Sequence, residues 1–360
     1  MNFKFLSFLF FSKTQSPITI VPGFGGSVIY NNDNNVVWPP KVIDLIQYPQ
    51  YFYNIGCHYN DNNFQLNTDT KVGEIGDLDA IKIVNKWMAP IVNHNYYDDL
   101  IVDLKKTYCK DCLYGIPYDF RIIGNKSYRQ NLYNELKIFF EKTKKKHGEK
   151  VIIVTHSLGG LIIHDFLSKQ SKKWNAEFIK KVIFVNCPWA GTTNALKLIL
   201  DEKILIKSLQ RYLHVPYIKY FSCLLLLLPN PYFLSDKLIY YNDLNEKVQV
   251  ENISTYWKNN IVISKLNVHF DDILNTLKTK PNVEYNIIVG SNRRTPTRLY
   301  QDGETIFLEH GQGDGVIEEE SLWAFQKWNA EEIKVWKIEN EEHTKILKSE
   351  EFFSILKKLL

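Results

Sequence analysis

No apolar run in this sequence approaches the ~20 residues that a helix needs to cross a bilayer. The run Cys223–Leu228 stops at Pro229, and the run Phe5–Phe11 is broken by Ser7. A membrane-spanning helix is therefore not expected. Charge of one sign is equally scarce. Lys and Arg number 44 against 40 Asp and Glu, a net +4, and the Lys residues are scattered. That excludes the basic stripe of a nucleic-acid partner. One basic run, Lys142–Lys146 broken by Thr143, closes an expected helix, where cations suit the C-terminal dipole. Cysteines are few and odd in number, five in all. Cys109 and Cys112 form a single C-x-x-C with no second pair, which points away from zinc and toward a local disulfide or two unrelated thiols. Cys187 and Cys223 stand in apolar surroundings and read as core thiols. No internal repeat or low-complexity stretch occurs, and no residue set calls for a metal or organic cofactor.

What is present is a globular composition. Apolar residues make up 45% and charged residues 23% of 360, enough for one large domain or two smaller ones. The chain is organised around Val151-Ile-Ile-Val-Thr-His-Ser-Leu-Gly-Gly160. Four β-branched residues read as a buried strand. A sharp turn with Ser157 at its centre follows, then an amphipathic helix. Strand, turn and helix in that order form the context of a nucleophile elbow, although Thr155 stands where the G-x-S-x-G pattern has its first Gly. Ser157 is the candidate nucleophile, and the Leu158 N–H is a candidate oxyanion donor. An ordinary strand-to-helix turn is the alternative.

Other elements alternate around this point. Ser16–Pro22 reads as a strand that runs into Gly23-Phe-Gly-Gly-Ser27, where three glycines in four residues permit a tight turn or a close approach. Beside an elbow, Phe24 N–H is the second candidate oxyanion donor; a plain glycine turn is the other reading. Residues 28–87 show little periodicity. They carry an aromatic loop at Tyr48–Tyr59, suited to a lipid interface or to simple loop anchoring. Helices are expected over Asn95–Tyr108, Tyr128–Lys146 and Ser349–Leu360, and strands over Lys181–Asn186, Val283–Gly290, Thr305–Leu308 and Ile333–Ile338. Strands alternating with helices indicate a parallel sheet. Residues 193–280 interrupt the rhythm and read as a cap over the C-terminal edge of that sheet.

A Ser hydroxyl needs a base. In a fold of this kind the chain order is Ser, acid, His. Asp314, set among Gly311, Gly313 and Gly315 after the Thr305–Leu308 strand, is the favoured acid. Asp302 competes but precedes that strand. His214, His269 and His310 all come before Asp314, so order selects His343 as the base. His156 is expected to pack or hydrogen-bond near the nucleophile, and His164 to be structural.

With these pieces placed, the chain resembles the lecithin:cholesterol acyltransferase family, which includes lysosomal phospholipase A and phospholipid:diacylglycerol acyltransferases. The resemblance rests on Val21–Ser27, Tyr114-Gly-Ile-Pro-Tyr-Asp-Phe-Arg121, Thr155–Gly160 and Cys187-Pro-Trp-Ala-Gly191, and more loosely on Ser222–Pro229, Gly313-Asp-Gly315 and Glu342-His343. It implies an α/β-hydrolase core flanked by helices, divided as 16–192 and 281–360. It also implies a membrane-binding and lid insertion at about 28–90 and a cap at 193–280. Residues 1–15, one Lys and then a short apolar run, read as a possible signal or leader, with a first strand as the alternative. The implied activity is serine-dependent cleavage of a phospholipid acyl ester at a membrane surface, with transfer to water or a lipid alcohol. It implies Phe24 as an oxyanion donor and no cofactor. A soluble carboxylesterase, or an inactive hydrolase fold that binds lipid, would share the same outline. Residues 1–15 as a signal segment, with the sequons Asn125-Lys-Ser127 and Asn252-Ile-Ser254, fit a secreted or endomembrane-luminal protein peripheral on membranes. Animal members close the lid with a disulfide; no Cys lies between Gly26 and Cys57, so none is expected here.

Overall fold

The structure is a computed structural model and describes residues 15–39, 50–60, 62–82, 96–201, 203–206, 211–214, 217–260, 262–330 and 332–360. The expected leader lies outside these residues apart from Gln15, as do Tyr48 and Pro49 of the aromatic loop.

Six strands form the central sheet: β1 (Ile18–Val21), β2 (Leu113–Gly115), β3 (Val151–His156), β4 (Ile179–Val185), β5 (Tyr285–Ser291) and β6 (Lys334–Glu339). Their spatial order is β6-β5-β4-β3-β1-β2, and every neighbouring pair is parallel. Parallel strands need covered faces, so they read as continuous apolar runs. All six residues of β3 are buried. Its side chains alternate across the sheet: Val151 and Ile153 enter one core, Ile152 and Val154 the other. Burying each such side chain contributes roughly 1.5–3 kcal/mol.

The two cores are closed by helices on opposite faces. α1 (Tyr96–Thr107) supplies Leu100, Ile101 and Leu104 to one core. α2 (Lys126–His147) supplies Leu132, Leu136 and Phe140 to the other. Asn125 caps α2 by accepting from Tyr128 N–H at 3.1 Å, and Gly148 ends it in the left-handed conformation. α3 (Leu158–Ser168) is buried along nearly its whole length behind β3. Further on are α4 (Thr193–Asp201) and α5 (Leu266–Thr276). The last helix, α6 (Glu350–Leu359), is capped by Ser349 and packs Phe352 and Leu356 into the first core. This layered parallel sheet is an α/β-hydrolase fold.

Two expectations need correction. Residues 28–82 are not merely irregular. They contain a three-stranded sheet (Ile29–Asn31, Val36–Trp38, Thr70–Val72), a helical turn (Gln50–Ile55) and a hairpin (Cys57–Asn60 with Asn63–Leu66). These strands hold three or four residues each, too few for a periodic signal. The Thr305–Leu308 segment, in turn, is not a strand of the parallel sheet. It belongs to a long antiparallel hairpin, Arg293–Asp302 with Thr305–Gly313. That hairpin joins Leu238–Asn242 and Lys247–Gln249 in a second, four-stranded sheet. Asp302 lies at the hairpin's exposed turn. All five cysteines carry free thiols, and burial pushes those of Cys187 and Cys223 well up.

Candidate active site

The site begins where β3 ends. Ser157 follows His156 with φ 52° and ψ −128°, a conformation that costs a residue with a β-carbon about 1–3 kcal/mol. Neighbouring elements hold it there. Ser157 N–H donates to Val185 O at the end of β4 (2.9 Å), and Gly160 N–H donates back to Ser157 O (2.9 Å). Gly159 is required by contact: a β-carbon there would lie 2.4 Å from Pro22 O. The first turn of α3 therefore rests on the exit of β1. Thr155 is accommodated, but its buried hydroxyl has no hydrogen-bond partner among the described residues.

Three of the expected residues meet at this point. Ser157 Oγ lies 2.9 Å from His343 Nε2, and His343 Nδ1 lies 2.6 Å from Asp314 Oδ2. All three are buried. The other oxygen of Asp314 accepts from the N–H groups of Val316 (2.9 Å) and Ile317 (2.7 Å), so the carboxylate cannot rotate away. His343 N–H also donates to Asp314 O at 2.8 Å. A hydroxyl, an imidazole and a carboxylate in this line can generate a nucleophile at neutral pH.

Asp314 arrives by a route that strand alternation does not reveal. The hairpin leaves the end of β5 and returns to it, with Asp314 bridged to Arg293. The acid thus sits at the C-terminal edge of β5, and the hairpin is an excursion between strand and acid. Gly313 makes the return possible. A β-carbon there would meet Ile317 O at 2.2 Å and Thr295 Oγ1 at 2.6 Å.

Phe24 and Leu158 flank the same space. Among the described residues neither main-chain N–H has a hydrogen-bond partner. Leu158 opens α3, whose dipole favours negative charge. The loop carrying Phe24 is fixed by Tyr118, Trp38 and Phe120, to which the sequence assigns no individual role. Tyr118 OH donates to Pro22 O (2.9 Å), and Tyr118 N–H to Ser27 Oγ (3.0 Å). Trp38 Nε1–H donates to Gly25 O (2.8 Å). The Phe24 ring packs edge-on against Phe120 at 5.2 Å.

The Pro117-Tyr-Asp-Phe-Arg121 stretch therefore supports this loop. Its Arg121 is buried and pairs with Asp119 at 2.6 Å. It also donates to Ile55 O (2.9 Å) and Thr70 Oγ1 (2.6 Å) in the segment before α1. Tyr97 and Asn186 were missed as well. Asn186 had a signal, a polar residue closing an apolar strand; Tyr97 had only its place on a helix.

Four other histidines take hydrogen bonds of their own, and the side chain of His214 lies outside the described residues. His156 Nδ1 is 3.0 Å from Tyr97 Oη and Nε2 2.9 Å from His343 O. Burial, with the neighbouring His343, pulls its pKa down to about 3. His164 is 3.0 Å from Thr276 O and 3.2 Å from Tyr285 Oη, and burial pulls it down to about 4. His269 contacts Gly124 O, and His310 contacts Arg294. No group of three His, Cys, Asp or Glu side chains that could hold a metal occurs among the described residues.

A cavity of about 210 Å³ opens at Ser157 and His343. Its walls are mostly apolar, including Phe24, Ala195, Leu198, Leu224, Leu227 and Ile317. A larger cavity of about 770 Å³ lies between Thr70–Ile75 and α2. None of Ser157, His343 and Asp314 lines it, so the smaller one is the relevant site.

Comparison with known proteins agrees with the fold. Residues 78–289 match the family model described as lecithin:cholesterol acyltransferase. The chain is 30% identical over 137 residues to lecithin-cholesterol acyltransferase-like 1 of Arabidopsis thaliana, covering 36% of this chain and 31% of that protein. It is 22% identical over 280 residues to lysosomal phospholipase A and acyltransferase of Mus musculus, covering 68% and 61%. It is 23% identical over 211 residues to phosphatidylcholine-sterol acyltransferase of Mus musculus, covering 52% and 47%. The matches thus span between 31% and 61% of these relatives' lengths. Among solved structures, a chain of the Tle4–Tli4 complex superposes with a TM-score of 0.58 at 11% identity, covering 95% of this chain and 98% of that one. At that identity the likeness concerns the fold.

Proposed function

This chain belongs to the lecithin:cholesterol acyltransferase family, and from that premise we propose that it is a serine-dependent lipid acyl hydrolase or acyltransferase. The observation that carries the reading is the unbroken line from Ser157 Oγ through the His343 ring to Asp314, with steps of 2.9 and 2.6 Å. Ser157 Oγ attacks the carbonyl carbon of an acyl ester. His343 Nε2 takes the hydroxyl proton as the C–O bond forms. Asp314 holds the ring so that Nδ1–H points at the carboxylate, and it stabilises the imidazolium. The N–H groups of Phe24 and Leu158 receive the oxyanion of the tetrahedral intermediate, a contribution of order 3–4 kcal/mol per donor. Collapse expels the alcohol, which takes the proton from His343 and leaves an acyl-Ser157 ester. Water or a lipid alcohol then repeats the sequence in reverse.

The named activities of the relatives support a phospholipid as acyl donor. The apolar cavity wall suits an acyl chain. Residues 28–90 serve as the membrane-binding and lid insertion, and residues 193–280 as a cap, so that catalysis takes place at a membrane surface. Ser157→Ala is expected to abolish acyl release from phospholipid vesicles while leaving the fold intact. Retained release would overturn the assignment. A second reading, a carboxylesterase acting on dispersed esters, draws on the small volume of the cavity, about 210 Å³. A jump in rate when substrate assembles into bilayers favours the lipid reading. No interface dependence favours the esterase.

A further inference from the structure

We propose that Tyr97 and His156 are positioning residues, a hydrogen-bonded bridge that holds the oxyanion loop and the backbone of the catalytic base in one register. The inference rests on the function proposed above. Four groups stand in line. Gly23 N–H donates to Tyr97 Oη at 2.7 Å. Tyr97 Oη is 3.0 Å from His156 Nδ1. His156 Nε2 is 2.9 Å from His343 O.

The chemistry of the ends sets every direction. A carbonyl only accepts, so His156 Nε2 carries the hydrogen. In a neutral ring Nδ1 then accepts, and the Tyr97 hydroxyl donates to it. The Tyr97 oxygen is left to accept from Gly23. A doubly protonated ring would set Nδ1–H and Gly23 N–H against the same oxygen. The depressed basicity of the fully buried His156 agrees with this neutral form.

Each end of the bridge matters for geometry. Gly23 immediately precedes Phe24, so fixing its N–H fixes the backbone that aims the Phe24 donor. The loop also sits hard against the elbow. A β-carbon at Gly23 would lie 2.8 Å from Ser157 Cβ and 3.2 Å from His156 Nδ1. At the other end His343 O receives a second donor, Asn186 Nδ2 at 3.1 Å. Asn186 is itself held by Gly290 N–H at 2.7 Å. The base thus hangs from the ends of β3 and β4. Through His156 its position is tied to that of the oxyanion loop, while its own ring stays free to exchange a proton with Ser157. The His156 and His343 rings lie 4.9 Å apart, so a neutral neighbour also spares the imidazolium formed in catalysis a like charge.

The test uses Tyr97→Phe, which removes one oxygen, with His156→Leu, His156→Gln and the Tyr97→Phe/His156→Leu pair. Readouts are kcat and KM on phospholipid vesicles and the rate at which a fluorophosphonate labels Ser157. Tyr97→Phe and His156→Leu are each expected to lower kcat and the labelling rate about 10- to 100-fold, less than outright loss of an oxyanion donor. KM of Tyr97→Phe should stay within about twofold, since Tyr97, unlike His156, does not line the acyl cavity. The double variant should be no slower than the slower single, because cutting the bridge twice does no more than cutting it once. His156→Gln, whose amide can still donate to His343 O, should recover part of the rate. Unchanged labelling in Tyr97→Phe, or multiplicative losses in the double variant, would overturn the bridge. Should the variants fail to fold, nitrogen NMR of His156 in the native protein decides. A neutral Nε2–H ring from about pH 5 to 8 supports the bridge; a charged or Nδ1–H ring refutes it. If Ser157→Ala retains acyl release, the functional reading fails. If that variant is inactive and Tyr97→Phe is not impaired, only the bridge fails.

Discussion

Acid should destabilise this protein through two histidines before its catalytic groups are considered. His156 and His164 are buried and neutral, with pKa values pulled down from 6.5 to about 3 and about 4. Unfolding releases both rings to their ordinary value. Between pH 6.5 and the folded values the unfolded state therefore binds more protons, and stability falls as pH falls. The contribution is intact above the unfolded value and is lost progressively toward the folded one. At pH 4.5 the unfolded rings are almost fully protonated and the folded ones largely are not. Each ring then costs about 2.5 kcal/mol relative to pH 7, or ~5 kcal/mol for the pair. That is a large share of an ordinary domain's 5–15 kcal/mol. His164 isolates the effect, because it lies outside the hydrogen-bonded line through Ser157. Urea unfolding at pH 7 and pH 4.5 should be compared for the native chain and for His164→Gln, whose amide can still donate to Thr276 O. The variant's own cost appears at both pH values and cancels in the difference. Its drop in stability should be smaller than the native protein's by about 2.5 kcal/mol. Equal drops would refute the claim that His164 folds neutral.

Three further outcomes follow from the same contacts. Asp314→Asn should lower kcat by about 10³- to 10⁴-fold with little change in KM, because its amide no longer stabilises the required tautomer and charge of His343; steady-state kinetics on a soluble ester checks this. Arg121→Met should cost about 3–5 kcal/mol by leaving the Asp119 carboxylate buried without its cation, read as a shift in the urea midpoint, whereas a loss below 1 kcal/mol would show that Asp119 finds another partner. Thr155→Val should raise stability by about 1 kcal/mol while keeping activity, since it removes a buried hydroxyl without a partner among the described residues; thermal unfolding followed by circular dichroism reads it.

Local pattern carried the core. The apolar runs that became β1, β3, β4 and β5 are legible because strands buried on both faces must be apolar at every position. The helix Lys126–His147 is legible because one face repeats Leu132, Leu136 and Phe140. Ser157 was visible from its strand-turn-helix setting. Chain order singled out His343 and Asp314, and both stand in line with Ser157, although Asp314 follows a strand of the second sheet, not of the parallel one. Asp314 still reaches the end of the parallel sheet because the hairpin that precedes it returns to the edge of β5 that it left.

Other features depend on contacts between distant segments. The three-residue strands at Ile29–Asn31 and Thr70–Val72 pair across a long stretch of chain, and nothing in either one signals its partner. Tyr97 lies 59 residues before His156, and on its own helix it is one more apolar-facing aromatic. The sequence by itself determined the parallel core, the elbow and the order of its chemistry, since each is written in neighbouring residues. Only the tertiary structure decided that Asp314 stands beside β5 and that Tyr118, Tyr97 and His156 join the Pro22–Ser27 loop to the backbone of His343. Hydrogen bonds between remote segments leave no period in the chain, and their directions emerge only when donors and acceptors are buried together.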